Sequence, residues 1–166
     1  MTNNTIETAL NFLSNSSIET TPNVYEKYGK FSDLISKDNN IYVTYLPDED
    51  MSKVINTSKK LSDEGYQVIP HLPARTIESY KMLEEYIKKL SEECGCSKIL
   101  VIGGGGKQKG EIKSSIEVLK TDLLSKYKFK EVGLAGHPEG NPDVQQSDLD
   151  DAIIQKNEFS QNADFK

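Results

Sequence analysis

The chain has 166 residues, is 36% hydrophobic and 28% charged, and carries a formal net charge of −6. That length suits a single domain with its own core, and we read residues 1–166 as one domain. The acidic balance argues against nucleic acid as a partner, because a phosphate backbone calls for clustered Lys and Arg. No window holds the roughly 18 apolar residues of a membrane span, so no membrane partner is expected.

The first stretch, "MTNNTIETALNFLSNSS", has no basic region and no long apolar core, so it does not read as a signal peptide. Ile6, Ala9, Leu10 and Leu13 fall at helical spacing and predict a short amphipathic helix. Five β-branched or apolar runs follow: "SIETT" (17–21), "IYVTYLP" (41–47), "QVIPHLP" (67–73), "KILVIGG" (98–104) and "EVGLAGHP" (131–138). Helical patterns lie between them. Tyr28, Phe31, Leu34 and Ile35 suggest a helix after the first strand. Met51, Val54, Ile55 and Leu61 share one face, with Gly65 placed to cap the helix end. Ile77, Tyr80, Leu83, Ile87 and Leu90 form the next stripe. "SSIEVLKTDLLSKY" predicts one helix, and "SDLDDAIIQKNEF" predicts another with a Ser-Asp cap. Cys94 and Cys96 sit one residue apart with no third Cys, so we read two thiols in a helix-to-strand turn and no metal site. A reducing, cytoplasmic setting is expected.

Strand–helix alternation repeated five times predicts an α/β fold with a parallel sheet. Strands 4 and 5 read as continuous apolar runs, which predicts cover on both faces. Two architectures fit. A doubly wound sheet is complete at about this length. A (β/α)₈ barrel needs roughly 31 residues per unit, which makes five units a partial barrel. Spacing alone does not choose.

Both architectures bind ligands at the carboxyl ends of the strands. Those ends carry Glu19 with Thr20 and Thr21; Thr44 and Tyr45; His71 with Arg75; Gly103 to Gly106 with Lys107; and His137, Glu139 and Asn141. The four-glycine run matches neither common phosphate-loop pattern. It is either a flexible turn or a place where bare backbone meets a ligand. Glu19 lies inside a strand, where charge is depleted. It is either a surface residue or a cleft carboxylate suited to general-acid work.

Taken together, "SIETTP", "IYVTYLP", "VIPHLPAR", "ILVIGG" and "VGLAGHPEGNPD" resemble methylenetetrahydrofolate reductases in order and spacing, from about Ser16 onward. The resemblance implies a (β/α)₈ TIM-barrel type, here about five β/α units. It also implies FAD-dependent reduction of 5,10-methylenetetrahydrofolate to 5-methyltetrahydrofolate, with NADH or NADPH as co-substrate. On that resemblance Glu19 is the general acid on the folate. Thr44, His71, Gly103, Gly104, Gly105, Ala135, His137, Asn141 and Lys156 would bind the cofactor, Lys156 at its phosphates. Two positions depart from the pattern: Gly105 stands where many members have Asp, and Asn141 where many have His. Strands 6 to 8 of such a barrel are not in the sequence, so open edges would favour a homo-oligomer or a complementing C-terminal segment. The alternative is a non-catalytic α/β domain of the same descent that binds a nucleotide or a partner.

Overall fold

The structure, a computed structural model, describes residues 3–14, 16–142 and 144–163. The strands are β1 (Ser17–Thr20), β2 (Asn40–Val43), β3 (Gln67–Pro73), β4 (Lys98–Ile102) and β5 (Glu131–Leu134). The helices are α1 (Asn3–Ser14), α2 (Pro22–Tyr28), α3 (Met51–Asp63), α4 (Tyr80–Glu92), α5 (Ser115–Leu119), α6 (Leu123–Lys126) and α7 (Gln146–Asn162). Single 3₁₀ turns cover Phe31–Asp33 and Ala74–Thr76.

All five strands are parallel and lie in the order β1-β2-β3-β4-β5. A doubly wound order is thereby excluded. Each crossover moves one strand in the same direction, and right-handed crossovers then put every connecting helix on one face. The burial pattern agrees. Ile41, Val43, Val68, Leu72, Ile99 and Val101 are buried in one core with Val54, Ile55 and Leu61 of α3 and Leu83, Ile87 and Leu90 of α4. The opposite face carries Glu19, Tyr42, Thr44, Lys98, Leu100 and Glu131, all at least partly exposed. The expectation that β4 and β5 are covered on both faces is therefore corrected. β4 alternates buried and half-buried residues, and β5 alternates half-buried and exposed ones.

β3 is the middle strand and is buried after its first residue. Its first half, Gln67–Pro70, pairs with β2, and its second half, His71–Pro73, pairs with β4. The sheet is thus staggered about its centre.

Local chemistry explains the helix boundaries. Asp50 accepts from Ser52 N at 2.8 Å and starts α3, and Ser79 accepts from Met82 N at 3.2 Å and starts α4. Thr21 accepts from Val24 N at 3.2 Å ahead of Pro22, so α2 begins earlier than the apolar spacing suggests. Gly29, at φ +74°, ends it before Phe31. The single helix expected over 114–127 is split into α5 and α6. There Thr121 turns its hydroxyl onto Val118 O at 2.7 Å and closes the first segment. α7 starts at Gln146 rather than on the Ser147–Asp148 pair, and Asp148 N and Leu149 N bond to Gln145 O. α1 forms as expected, but its apolar face is open: Ile6, Phe12 and Leu13 are exposed. The Leu10 side chain lies outside the described residues. Cys94 and Cys96 are buried and unbridged in the turn between α4 and β4. No helix among the described residues is long and apolar enough to cross a membrane.

Candidate functional site

Three adjacent strand ends meet on the open face. Thr44, just past β2, keeps its backbone N bonded to Thr20 O at 2.9 Å. That bond aims its hydroxyl at β1, where Thr44 Oγ1 donates to Glu19 Oε1 at 2.8 Å. His71 Nε2 lies 3.9 Å from Glu19 Oε2. The His71 side chain is only 7% exposed, and neither ring nitrogen has a hydrogen-bond partner among the described residues. Buried polar groups are nearly always paired, so an orphaned imidazole is an exception that calls for a strained, catalytic or solvent-linked explanation. Burial pushes the His71 pKa below its ordinary value, and the Glu19 carboxylate only partly opposes this, so the ring is neutral at pH 7.

The support behind this cluster is rigid. Tyr86 of α4 is completely buried, and its hydroxyl donates to His71 O at 2.8 Å. Burial raises the Tyr86 pKa far above the usual phenol value, which keeps it a donor. On the open face the Tyr42 ring meets the His71 ring edge-on, with centroids 6.1 Å apart.

The expected desolvation of Glu19 is not provided by these residues, because its side chain is 62% exposed. The strand puts it on the open face beside Thr44 and His71, as alternation along β1 requires, but nothing described covers it.

The other expected residues gather at the ends of β4 and β5. A cleft of about 570 Å³ is lined by Arg75, Ile102, Gly103 to Gly106, Ala135, His137, Asn141 and Val144. Gly104 has φ +86°, and a Cβ there would lie 2.9 Å from Pro73 Cβ, so only glycine fits without strain. Gly105 differs: a Cβ there meets nothing within 4 Å. Its replacement of the acidic residue implied by the resemblance is not forced by the backbone. His137 sits at φ +49°, in the left-handed region, and its carbonyl accepts from Gly140 N at 2.9 Å. The chain then folds back through an antiparallel bridge between Asn141 and Val144.

Lys156 does not line this cleft but is joined to it through Ala135. Its Nζ donates to Ala135 O at 2.7 Å, which ties α7 to the end of β5. Burial lowers its pKa. The side chain expected at cofactor phosphates is therefore engaged with backbone.

The structure thus divides the expected set in two. Glu19 meets both Thr44 and His71. Gly103, Gly104, Gly105, Ala135, His137 and Asn141 share the second cleft, with Lys156 attached to its rim. Sequence reasoning passed over Tyr42 and Tyr86, and it placed Arg75 at the β3 end without giving it a role. Alternation along "IYVTYLP" could have given Tyr42, since it lies two residues before Thr44 on the same face. Nothing in the sequence marks Tyr86, which occupies a core position of an ordinary amphipathic helix. No known protein-family model matches the chain.

Proposed function

We propose that this chain is a flavin-binding, barrel-type α/β protein that acts in reduction of 5,10-methylenetetrahydrofolate to 5-methyltetrahydrofolate by NADH or NADPH. The observation that carries the reading is the buried, neutral His71 with both ring nitrogens unpaired, beside a carboxylate and a hydroxyl on adjacent strand ends. The sequential strand order and the stagger at β3 support the barrel type, because barrel strands tilt and shift register as they close.

The residues suit FAD in three respects. His71 offers one donor and one acceptor to a heteroaromatic ring edge. Thr44 offers a hydroxyl. Gly103 to Gly106 leave the β4 end free of side chains, so a large planar group can come close. FAD, when bound, carries hydride between the nicotinamide and the folate. On this reading Glu19 would be the group that passes a proton to the folate nitrogen, and the Thr44 hydroxyl orients its carboxyl.

A second reading is favoured by the 62% exposure of Glu19. General-acid chemistry needs the proton held in a sheltered geometry, and a displacement of about 1 Å can cost on the order of a hundredfold in rate. On that reading the five strands bind the nucleotide cofactor and do not turn over until further β/α units cover the open face. Titration of the chain with FAD, followed by NAD(P)H oxidation with menadione or methylenetetrahydrofolate as acceptor, decides. Saturable FAD binding that weakens in His71→Ala supports the flavin reading. Binding without turnover selects the second. No flavin binding at all sinks both.

A further inference from the structure

We infer that Arg75 and the backbone of Gly104, Gly105 and Gly106 form a site for a pyrophosphoryl anion in the β4–β5 cleft. The argument begins with charge. Among the described residues lining this cleft there is one permanent cation, Arg75, and no carboxylate. The whole chain has a formal net charge of −6, so a locally cationic cleft runs against the background.

Next comes pre-organisation. Arg75 N donates to Gly103 O at 2.9 Å, and Arg75 O accepts from Lys109 N at 2.8 Å, so its backbone is stapled to the glycine loop on both sides. Arg75 Nε donates to Lys113 O at 3.3 Å, which fixes the side chain. Its two terminal NH₂ groups make no bond to the described residues, and they form the planar fork that matches phosphate oxygens. The N–H groups of Gly104, Gly105 and Gly106 likewise have no partner among the described residues. Gly104 and Gly106 both have positive φ, at +86° and +77°. Consecutive bare amides in such a loop form an anion-binding concavity.

Two nearby cations are engaged elsewhere, and Lys107, next after the glycines, does not line the cleft. Lys109 Nζ donates to Pro47 O and lies 3.5 Å from Asp48, and Lys156 Nζ donates to Ala135 O. The phosphate contact implied for Lys156 thus passes to Arg75. A pyrophosphoryl group can arrive free or as part of a dinucleotide. Assigning it to a flavin dinucleotide rests on the flavin reading above, whereas the anion site itself does not.

The test uses the full chain at low ionic strength, with inorganic pyrophosphate, riboflavin and FAD as probes. Amide NMR and calorimetry are the readouts, on wild type, Arg75→Gln and Arg75→Lys. Pyrophosphate is expected to shift the amides of Gly104 to Gly106. Arg75→Gln should weaken pyrophosphate and FAD by roughly ten- to a hundredfold, the loss of charge-assisted bonds, and leave riboflavin unchanged. Arg75→Lys keeps the charge without the fork and should fall between; it also decides the matter if Arg75→Gln does not fold. Pyrophosphate binding without any flavin binding keeps this inference and removes the flavin reading. Equal FAD binding by wild type and both variants keeps the flavin reading and overturns this inference. So does the absence of pyrophosphate shifts at the glycine amides.

Discussion

At the β1–β3 end of the rim the polar groups are side chains on strands. At the β4–β5 end they are mainly backbone amides and one guanidinium on loops. The first arrangement is held from behind by the core, through the bond from Tyr86 to His71 O. The second is held by loop-to-loop bonds around Arg75 and by the fit of Gly104 against Pro73. A strand fixes direction for a side chain that needs an angle. A glycine loop removes side chains so that backbone can meet a charge. The two ends therefore fail in different ways when substituted.

The largest effect is expected at Tyr86. Tyr86→Ala opens a cavity under β3 and should cost about 3–5 kcal/mol in urea unfolding. Tyr86→Phe keeps the ring and strips the donor from His71 O, for a loss of about 1–3 kcal/mol. If Tyr86→Phe matches wild type in stability, the claim that the core holds the first cluster fails.

The glycine loop should discriminate between neighbours. Gly104→Ala forces a residue with Cβ into φ +86° and against Pro73, and should cost about 1–3 kcal/mol. Gly105→Ala and Gly105→Asp meet open space and should stay within about 0.5 kcal/mol of wild type. Equal losses at both positions would show that the loop is not built as described.

His71 gives the first end a pH signature. Its folded pKa lies below 6.5, so below that pH the unfolded chain takes up a proton that the native state resists. Stability should then be fully present above 6.5 and fall as the pH drops from 6.5 toward the folded value. The test compares urea midpoints of wild type and His71→Gln at pH 7.5 and pH 5. The wild type should lose more than the variant between the two pH values, and parallel losses would remove His71 from the account.

The smallest effect belongs to Thr44. Thr44→Val removes one exposed hydrogen bond to Glu19 and should change stability by less than about 0.5 kcal/mol. On the flavin reading it should still weaken FAD binding measurably. An unaltered FAD titration would separate Thr44 from the site.

Much of this was readable in the residues. "QVIPHLP" coincides with β3, and the helix faces of α3 and α4 follow from their apolar spacing. Two prolines in a central strand would ordinarily argue against it. They are accommodated because β3 changes pairing partner between Pro70 and His71. "IYVTYLP" was read too long: β2 ends at Val43, where only Thr44 N continues the ladder to β1. One-sided cover of β4 and β5 was not readable, because Leu, Val and Ile look the same whether a helix or an open face lies against them. The site was half readable. Residue type and strand ends gave its members. Its partition into two clusters depended on bond directions at Arg75 and Lys156, which no spacing encodes.

The sequential strand order has a kinetic and an evolutionary side. Every strand pairs only with its neighbours in the chain, so each sheet contact closes a loop of a single β/α unit. Contact order is low for a parallel sheet, and folding can propagate from any unit to the next. Among the described strands β5 is an edge strand, paired on one side only, with β4. The edge that would accept another unit would accept a foreign strand as readily, and chain growth and misassembly then compete for one row of amides and carbonyls.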